Sequence, residues 1–160
     1  MKNIMPGYFY IFDTSFGLLK IEEIDNEIVK IELNNPTSNR TFKLTEILEK
    51  AYKEINDFIK GKRKSFTFKI NPSGTEFQKS VWNALLNIPY GEVKSYKDIA
   101  IAIGNPKACR AVGMANNKNP IPIVIPCHRV IGSNGKLTGY AYGLSLKEHL
   151  LNLEKTKGTK

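Results

Sequence analysis

The stretch Ser95-Tyr-Lys-Asp-Ile-Ala-Ile-Ala-Ile-Gly-Asn-Pro-Lys-Ala-Cys-Arg-Ala-Val-Gly-Met-Ala-Asn116 holds two short helical segments around one glycine. Ser95 with Asp98 three residues on makes a capping box, which opens a helix through Ile99, Ala100, Ala102 and Ile103. Gly104 closes it. Asn105 can cap a second helix, with Pro106 at its first position, where a missing N–H costs nothing. Two short helices joined by such a turn form a helix-turn-helix unit. The second helix, Pro106 to Asn116, is unusual: around Arg110 stand Ala108, Cys109, Ala111, Gly113 and Ala115. A reader of the major groove offers long polar side chains to base edges. Small residues around one arginine instead permit close approach to a backbone, as minor-groove binding requires. They equally suit a tightly packed helix pair, and the pattern alone does not choose.

Downstream, Ile121-Pro-Ile-Val-Ile-Pro-Cys-His-Arg-Val130 sets a cysteine beside a histidine at the end of an apolar run. Pro120, Pro122 and Pro126 predict an extended, stiff segment that delivers Cys127. A cysteine attacks as its thiolate, so it needs a base, a cation or a helix N-terminus nearby. His128 is the candidate base. Neighbours on a strand point to opposite faces, so a bridging water would serve better than a direct bond. A strand is expected over Arg129 to Ile131 and a turn at Ser133-Asn-Gly135. Ser145 with Glu148 predicts the cap of a last helix carrying Leu146, His149, Leu150 and Leu153. Glu154, near the end of that helix, could orient the imidazole.

Upstream, Asn71-Pro-Ser-Gly74 is a cluster of breakers and the expected domain boundary. Thr75 with Gln78 makes a capping box for a helix bearing Phe77, Val81, Trp82, Leu85 and Leu86, ended by Pro89-Tyr-Gly91. Before the boundary, Tyr8 to Phe12, Leu18 to Ile24 and Glu27 to Leu33 read as strands, with Asp25-Asn26 as a tight turn. Thr45 to Ile59 repeats at helical spacing, and Ser65 to Ile70 reads as a further strand. The fold class is therefore α+β: an αβ domain over 1–72, a mainly helical domain over 73–155, and a polar, flexible tail over 156–160.

The 160 residues carry 24 Lys and Arg against 15 Asp and Glu, a formal charge of +9. A basic balance of this size favours a polyanionic partner, nucleic acid before membrane. Two cysteines, Cys109 and Cys127, make no disulfide framework and point to a reducing, cytoplasmic setting. Neither has a second cysteine at metal-binding spacing, and residues 1–72 hold no Cys or His, so no metal or cofactor is expected. No run of about 18 apolar residues occurs, so no membrane span is expected either.

From Arg110-Ala-Val-Gly through Asn119-Pro to Pro126-Cys-His-Arg-Val130, the chain closely resembles the O6-alkylguanine-DNA alkyltransferases. The likeness runs from about Thr75 to Glu154 and includes Trp82, Ser95-Tyr96, Asn105-Pro-Lys-Ala and Gly139 to Leu144. It implies an N-terminal domain like ribonuclease H and a C-terminal domain with a helix-turn-helix and wing. It implies a monomer that binds duplex DNA through the minor groove and flips the damaged base out. The alkyl group would pass irreversibly to Cys127, from O6-alkylguanine and with O4-alkylthymine as a second candidate. His128 and Glu154 match the family's water-mediated relay. Tyr96 matches the proton donor to the leaving guanine, and Asn119 the hinge asparagine. Arg110 matches the finger that replaces the extruded base; Ser95, Tyr96, Lys97, Asn105 and Ser133 fall at DNA-contacting positions. Pro122, Val130, Tyr140, Ala141 and Tyr142 fall on the substrate pocket.

Two departures stand out. Cys109 takes a place where alanine-like residues are usual, as a packed bystander or a second thiol. Tyr142 is bulky where some relatives carry glycine, which predicts slower handling of benzyl than of methyl adducts. Two rivals remain open to the sequence. A cysteine hydrolase would turn over an ester or amide, and a recognition module would bind damaged DNA without chemistry.

Overall fold

The computed structural model describes residues 4–132 and 143–158. The chain divides into two compact units, Met1–Ser73 and Gly74–Lys160.

In the first unit, strands β1 (Tyr8–Thr14), β2 (Gly17–Ile24) and β3 (Glu27–Leu33) form an antiparallel meander, and the short β4 (Thr41–Phe42) adds to β1 in parallel. The sheet order is β3-β2-β1-β4. Asp25 and Asn26 turn between β2 and β3 with φ of 50° and 64°, a left-handed pair that Asp and Asn tolerate better than most residues. One face of the sheet supplies Leu19, Ile21, Ile28 and Ile31 to a core closed by α1 (Glu46–Ile59), through Leu48, Ala51, Ile55 and Phe58. The other face of β2 buries charge. Lys20 meets Glu32 at 2.9 Å, and Arg40 meets Glu22 at 2.6 Å.

Residues 65–70 do not form the expected strand. Only Ile70 bridges to Ile28. The Thr67 N–H, which a ladder would need, donates instead to Glu54 Oε1 at 2.8 Å, while the Phe66 ring packs on Phe58. A carboxylate from α1 outcompetes the ladder there.

In the second unit, α2 (Glu76–Leu86) begins at Thr75 and α3 (Tyr96–Ala102) at Ser95, each with both halves of its capping box formed. Gly104, at φ +79°, ends the α3 turn. The next helix, α4 (Cys109–Asn117), starts three residues after the expected Pro106. Asn105 precedes a proline and is steered out of helical conformation. Its carbonyl accepts from the Ala108 N–H at 3.0 Å, closing a turn before the helix begins. Trp82 on α2 donates through Nε1 to the Ala115 carbonyl of α4 at 2.9 Å.

β5 (Lys94–Ser95) and β6 (Val130–Ile131) pair in parallel, so the start of α3 lies beside the residues that follow Cys127. The last helix, α5 (Leu144–Gly158), starts before Ser145, which is therefore not its cap. Its backbone runs on past the expected end at 155.

Candidate active site

The segment before Cys127 is not extended. Pro122 bridges to Ile125, the Ile125 N–H reaches the Ile121 carbonyl at 2.9 Å, and Ile123 takes φ +75°. A β-branched residue there carries strain of about 1–3 kcal/mol and persists only where its surroundings over-determine it. Asn119 does so. Just beyond α4, its Oδ1 accepts from the Ile121 N–H at 2.9 Å and its Nδ2 donates to the Ile125 carbonyl at 2.8 Å. The prolines limit the choices, but one buried amide folds the segment into a loop.

Cys127, His128 and Arg129 then form a single 3-10 turn, all three buried. In such a turn successive side chains fan out by about 120°, not to opposite faces as on a strand. Cys127 is a thiol outside any disulfide and 3% exposed. His128 is fully buried, and its Nε2 lies 2.6 Å from Glu154 Oε2 on α5. Arg129 donates to the same carboxylate through Nε at 2.7 Å and Nη2 at 3.1 Å, and through Nη1 to the Ile88 carbonyl. The Gly91 N–H adds a further donor to Glu154 Oε1 at 3.2 Å. Arg129 also faces the Tyr90 ring, 5.6 Å from its centroid.

These bonds set the charge states. Burial pushes the Glu154 carboxyl up, but the hydrogen bonds and charges of His128 and Arg129 outweigh it and hold it below the usual carboxylate range. Burial drives His128 below its ordinary value; Glu154 pulls it back up, and Arg129 and Lys147 push it further down. An ionised carboxylate only accepts, so Nε2 of the neutral imidazole carries the proton and Nδ1 holds the basic lone pair. Glu154 and Arg129 compensate one another, and His128 is left as an oriented neutral base.

Lys147, on α5, is fully buried and donates through Nζ to the Val130 carbonyl at 2.7 Å. Burial lowers its affinity for a proton, and the neighbouring Cys127 sulfur, when ionised, raises it. A buried ammonium beside a buried thiol favours the thiolate. Lys147 is not legible as a site residue in the sequence, because a lysine on a helix resembles any solvated charge. The available signal was spacing: Lys147, Leu150 and Glu154 recur at i, i+3 and i+7, on one helix face.

An acid-sensitive fold follows from these shifts. Both His128 and Glu154 hold their protons less readily when folded, so the unfolded chain takes up more of them as pH falls. Stability should be full above about pH 6.5, decline as His128 is forced to charge, and decline again below 4.5 through Glu154. Urea denaturation at pH 8, 6 and 4 would measure this; midpoints that do not move would contradict it.

The remaining expected site residues divide into two groups. Pro122 and Val130 are buried with the cysteine turn. Arg110, Lys97 and Asn105 are exposed on the helix pair, while Ser95 and Tyr96 are half-buried at the start of α3. The backbone of α4 passes the Tyr96 ring at Gly113, where an added Cβ would lie 3.8 Å from the ring. Cys109, at the start of α4, is half-buried and contacts the Pro106 carbonyl at 3.8 Å. Ser133, Tyr140, Ala141 and Tyr142 lie outside the described residues, as does the turn expected at 133–135. Among the described residues, no cluster of three or more His, Cys, Asp or Glu could hold a metal ion. Nor is any helix long and apolar enough to cross a membrane.

A buried thiol, a neutral histidine and an orienting carboxylate, set behind a pair of short helices, define the class: a protein built around a thiol nucleophile. Comparison with known proteins narrows it. Residues 76–156 match the model of the 6-O-methylguanine DNA methyltransferase family, DNA binding domain. The methylated-DNA–protein-cysteine methyltransferase of Methanosarcina acetivorans is 62% identical, over 68% of this chain and 70% of its own. The constitutive enzyme of that name from Bacillus subtilis is 43% identical, over 93% and 96%. A crystal structure of Mycobacterium tuberculosis OGT in complex with DNA superposes with a TM-score of 0.87, at 41% identity and 94% coverage of both chains. The chain belongs to the methylated-DNA–protein-cysteine methyltransferase family.

Proposed function

We propose that this protein repairs alkylated DNA by direct reversal, taking the alkyl group from O6-alkylguanine in duplex DNA onto Cys127. The observation that carries this reading is the buried Cys127–His128–Arg129 turn held by Glu154, in a chain of this family. The Cys127 sulfur attacks the alkyl carbon in line, the S–C bond forms and the C–O6 bond breaks. The thiol proton passes toward His128 Nδ1 through a water, and the leaving guanine is protonated by Tyr96. A soft sulfur suits an alkyl carbon, and the fixed loop before Cys127 holds it in line. The thioether is stable, so each molecule acts once, as a monomer.

Access to the base requires extrusion from the helix. α4 docks along the minor groove, where its exposed Arg110 enters the stack in place of the flipped nucleotide. Ser95, Lys97 and Asn105 hold the flanking phosphates, which makes binding weaken as salt rises. Arg110→Ala should slow methyl removal from duplex by roughly tenfold or more, because extrusion costs a few kcal/mol. Reaction of Cys127 with a small thiol reagent should be unchanged. Equal duplex rates for both proteins would withdraw the finger.

Intact-protein mass after incubation with excess duplex containing O6-methylguanine tests the function itself. One methyl group gained, and none by Cys127→Ser, is the expected result. Binding without gain would leave a recognition module, and repeated turnover of an ester would favour a hydrolase.

A further inference from the structure

The outer face of α4 holds more than the finger. Val112, Ala115 and Asn116 are buried on its inner side, while Arg110, Met114 and the cap residue Lys118 recur at i, i+4 and i+8 in one exposed row. Met114 is 59% exposed, a large apolar side chain between two cations. A solitary exposed apolar residue is ordinary on a protein surface. This one stands in the part of the chain most suited to a polyanion: from Ile99 to Lys147 there is no Asp or Glu. A flexible, polarisable thioether in such a setting makes an adaptable apolar contact, and apolar side chains among cations are what minor-groove binders present. One helical turn sets Met114 about 6 Å along the axis from Arg110. That is less than two base-pair steps of about 3.4 Å each.

We propose that Met114 reads the floor of the minor groove beside the vacated site, where it favours neighbouring base pairs that lack the guanine 2-amino group. This rests on the alkyl-transfer reading above, with α4 docked in that groove. Every base pair shows acceptors on the groove floor, and G·C alone adds a donor, the 2-amino group, which projects into the groove. An apolar side chain laid over that donor strips its water and returns no acceptor, so the G·C pair is disfavoured. Arg110 therefore acts where the damaged base has left the stack, and Met114 acts on pairs that stay in it. The rate of repair then depends on the sequence around the lesion, through a residue that touches neither the damaged base nor the thiol.

The test uses the full chain and single-turnover methyl transfer from two duplexes, each with O6-methylguanine at the same position. In one, the neighbouring pairs on both sides are G·C. In the other, each of those guanines is replaced by inosine, which lacks only the 2-amino group. The wild-type protein should act faster on the inosine duplex by roughly fivefold or more, the lower end of what one unsuited base pair costs a groove reader. Inosine pairs also part more easily, and Met114→Ala separates that effect: its ratio should fall severalfold, towards one. Met114→Leu, apolar and similar in size, should keep the wild-type ratio. Met114 is exposed, so neither change threatens the fold. A wild-type ratio of one overturns the proposal. So does the same ratio in wild type and Met114→Ala, which would assign the preference to the DNA alone. Wild-type protein that takes no methyl from either duplex removes the alkyl-transfer reading and this inference with it.

Discussion

Glu154→Gln is expected to destabilise the second unit by about 3–5 kcal/mol, the usual result of stranding one member of a buried ion pair. It should also slow methyl transfer by about 10²-fold, a typical share for a positioned base. Glu154 accepts from His128 Nε2, from Arg129 Nε and Nη2, and from the Gly91 N–H, with 1% of its own surface exposed. A glutamine has nearly the same shape but carries an NH2 where one of these donors points, and it leaves Arg129 charged without compensation. Arg129→Met added to Glu154→Gln should recover much of the stability, since replacing a whole buried pair with apolar groups is often neutral. It should not recover the rate, because His128 still lacks its anion. Urea midpoints and single-turnover rates for the two single variants and the double complete the cycle. A Glu154→Gln protein within about 1 kcal/mol of wild type would mean that the carboxylate is not the anchor of this turn.

What was legible in the sequence was whatever a few neighbouring residues decide among themselves. Thr75 with Gln78 and Ser95 with Asp98 bond as their spacing requires, because both partners lie within one helical turn. Asp25-Asn26 turns for the same local reason. The family motif named Cys127, His128, Glu154 and Asn119; in the fold, Glu154 bonds His128 and Asn119 holds the loop before Cys127. Features set across long separations were missed. The two-residue strand Lys94–Ser95 is one, since it exists only because it finds Val130–Ile131, where a strand was expected, 36 positions away in register. Three prolines argued for an extended approach to Cys127, yet Asn119 folds it into a loop with Ile123 at positive φ. Glu54 similarly removes Thr67 from a strand that its sequence favours. Lys147 and Asn116 read as ordinary polar residues of helices; only burial against the cysteine turn separates them from a solvated face.

Trp82→Ala should cost about 3–5 kcal/mol, as removal of a buried aromatic usually does. Repair should suffer as well, through the end of α4. Carbonyls in the last turn of a helix have no partner within it, and that of Ala115 is met in part by Trp82 Nε1. The fit around the ring is close: a Cβ at Gly74 would fall 2.5 Å from Trp82 Cη2. Loosening this end of α4 loosens Asn116 and Asn119, which grip the Cys127 carbonyl and the loop before it. Trp82→Ala should therefore slow methyl transfer even under conditions where the protein is fully folded. Trp82→Phe keeps a buried aromatic ring but loses the N–H and three ring atoms of the indole, so it should cost less than alanine, about 1–3 kcal/mol. Its transfer rate should fall between the other two. If Trp82→Ala were destabilised as expected but transferred methyl at the wild-type rate, α4 would be held by its apolar contacts alone. The Trp82–Ala115 bond would then have no part in placing the nucleophile.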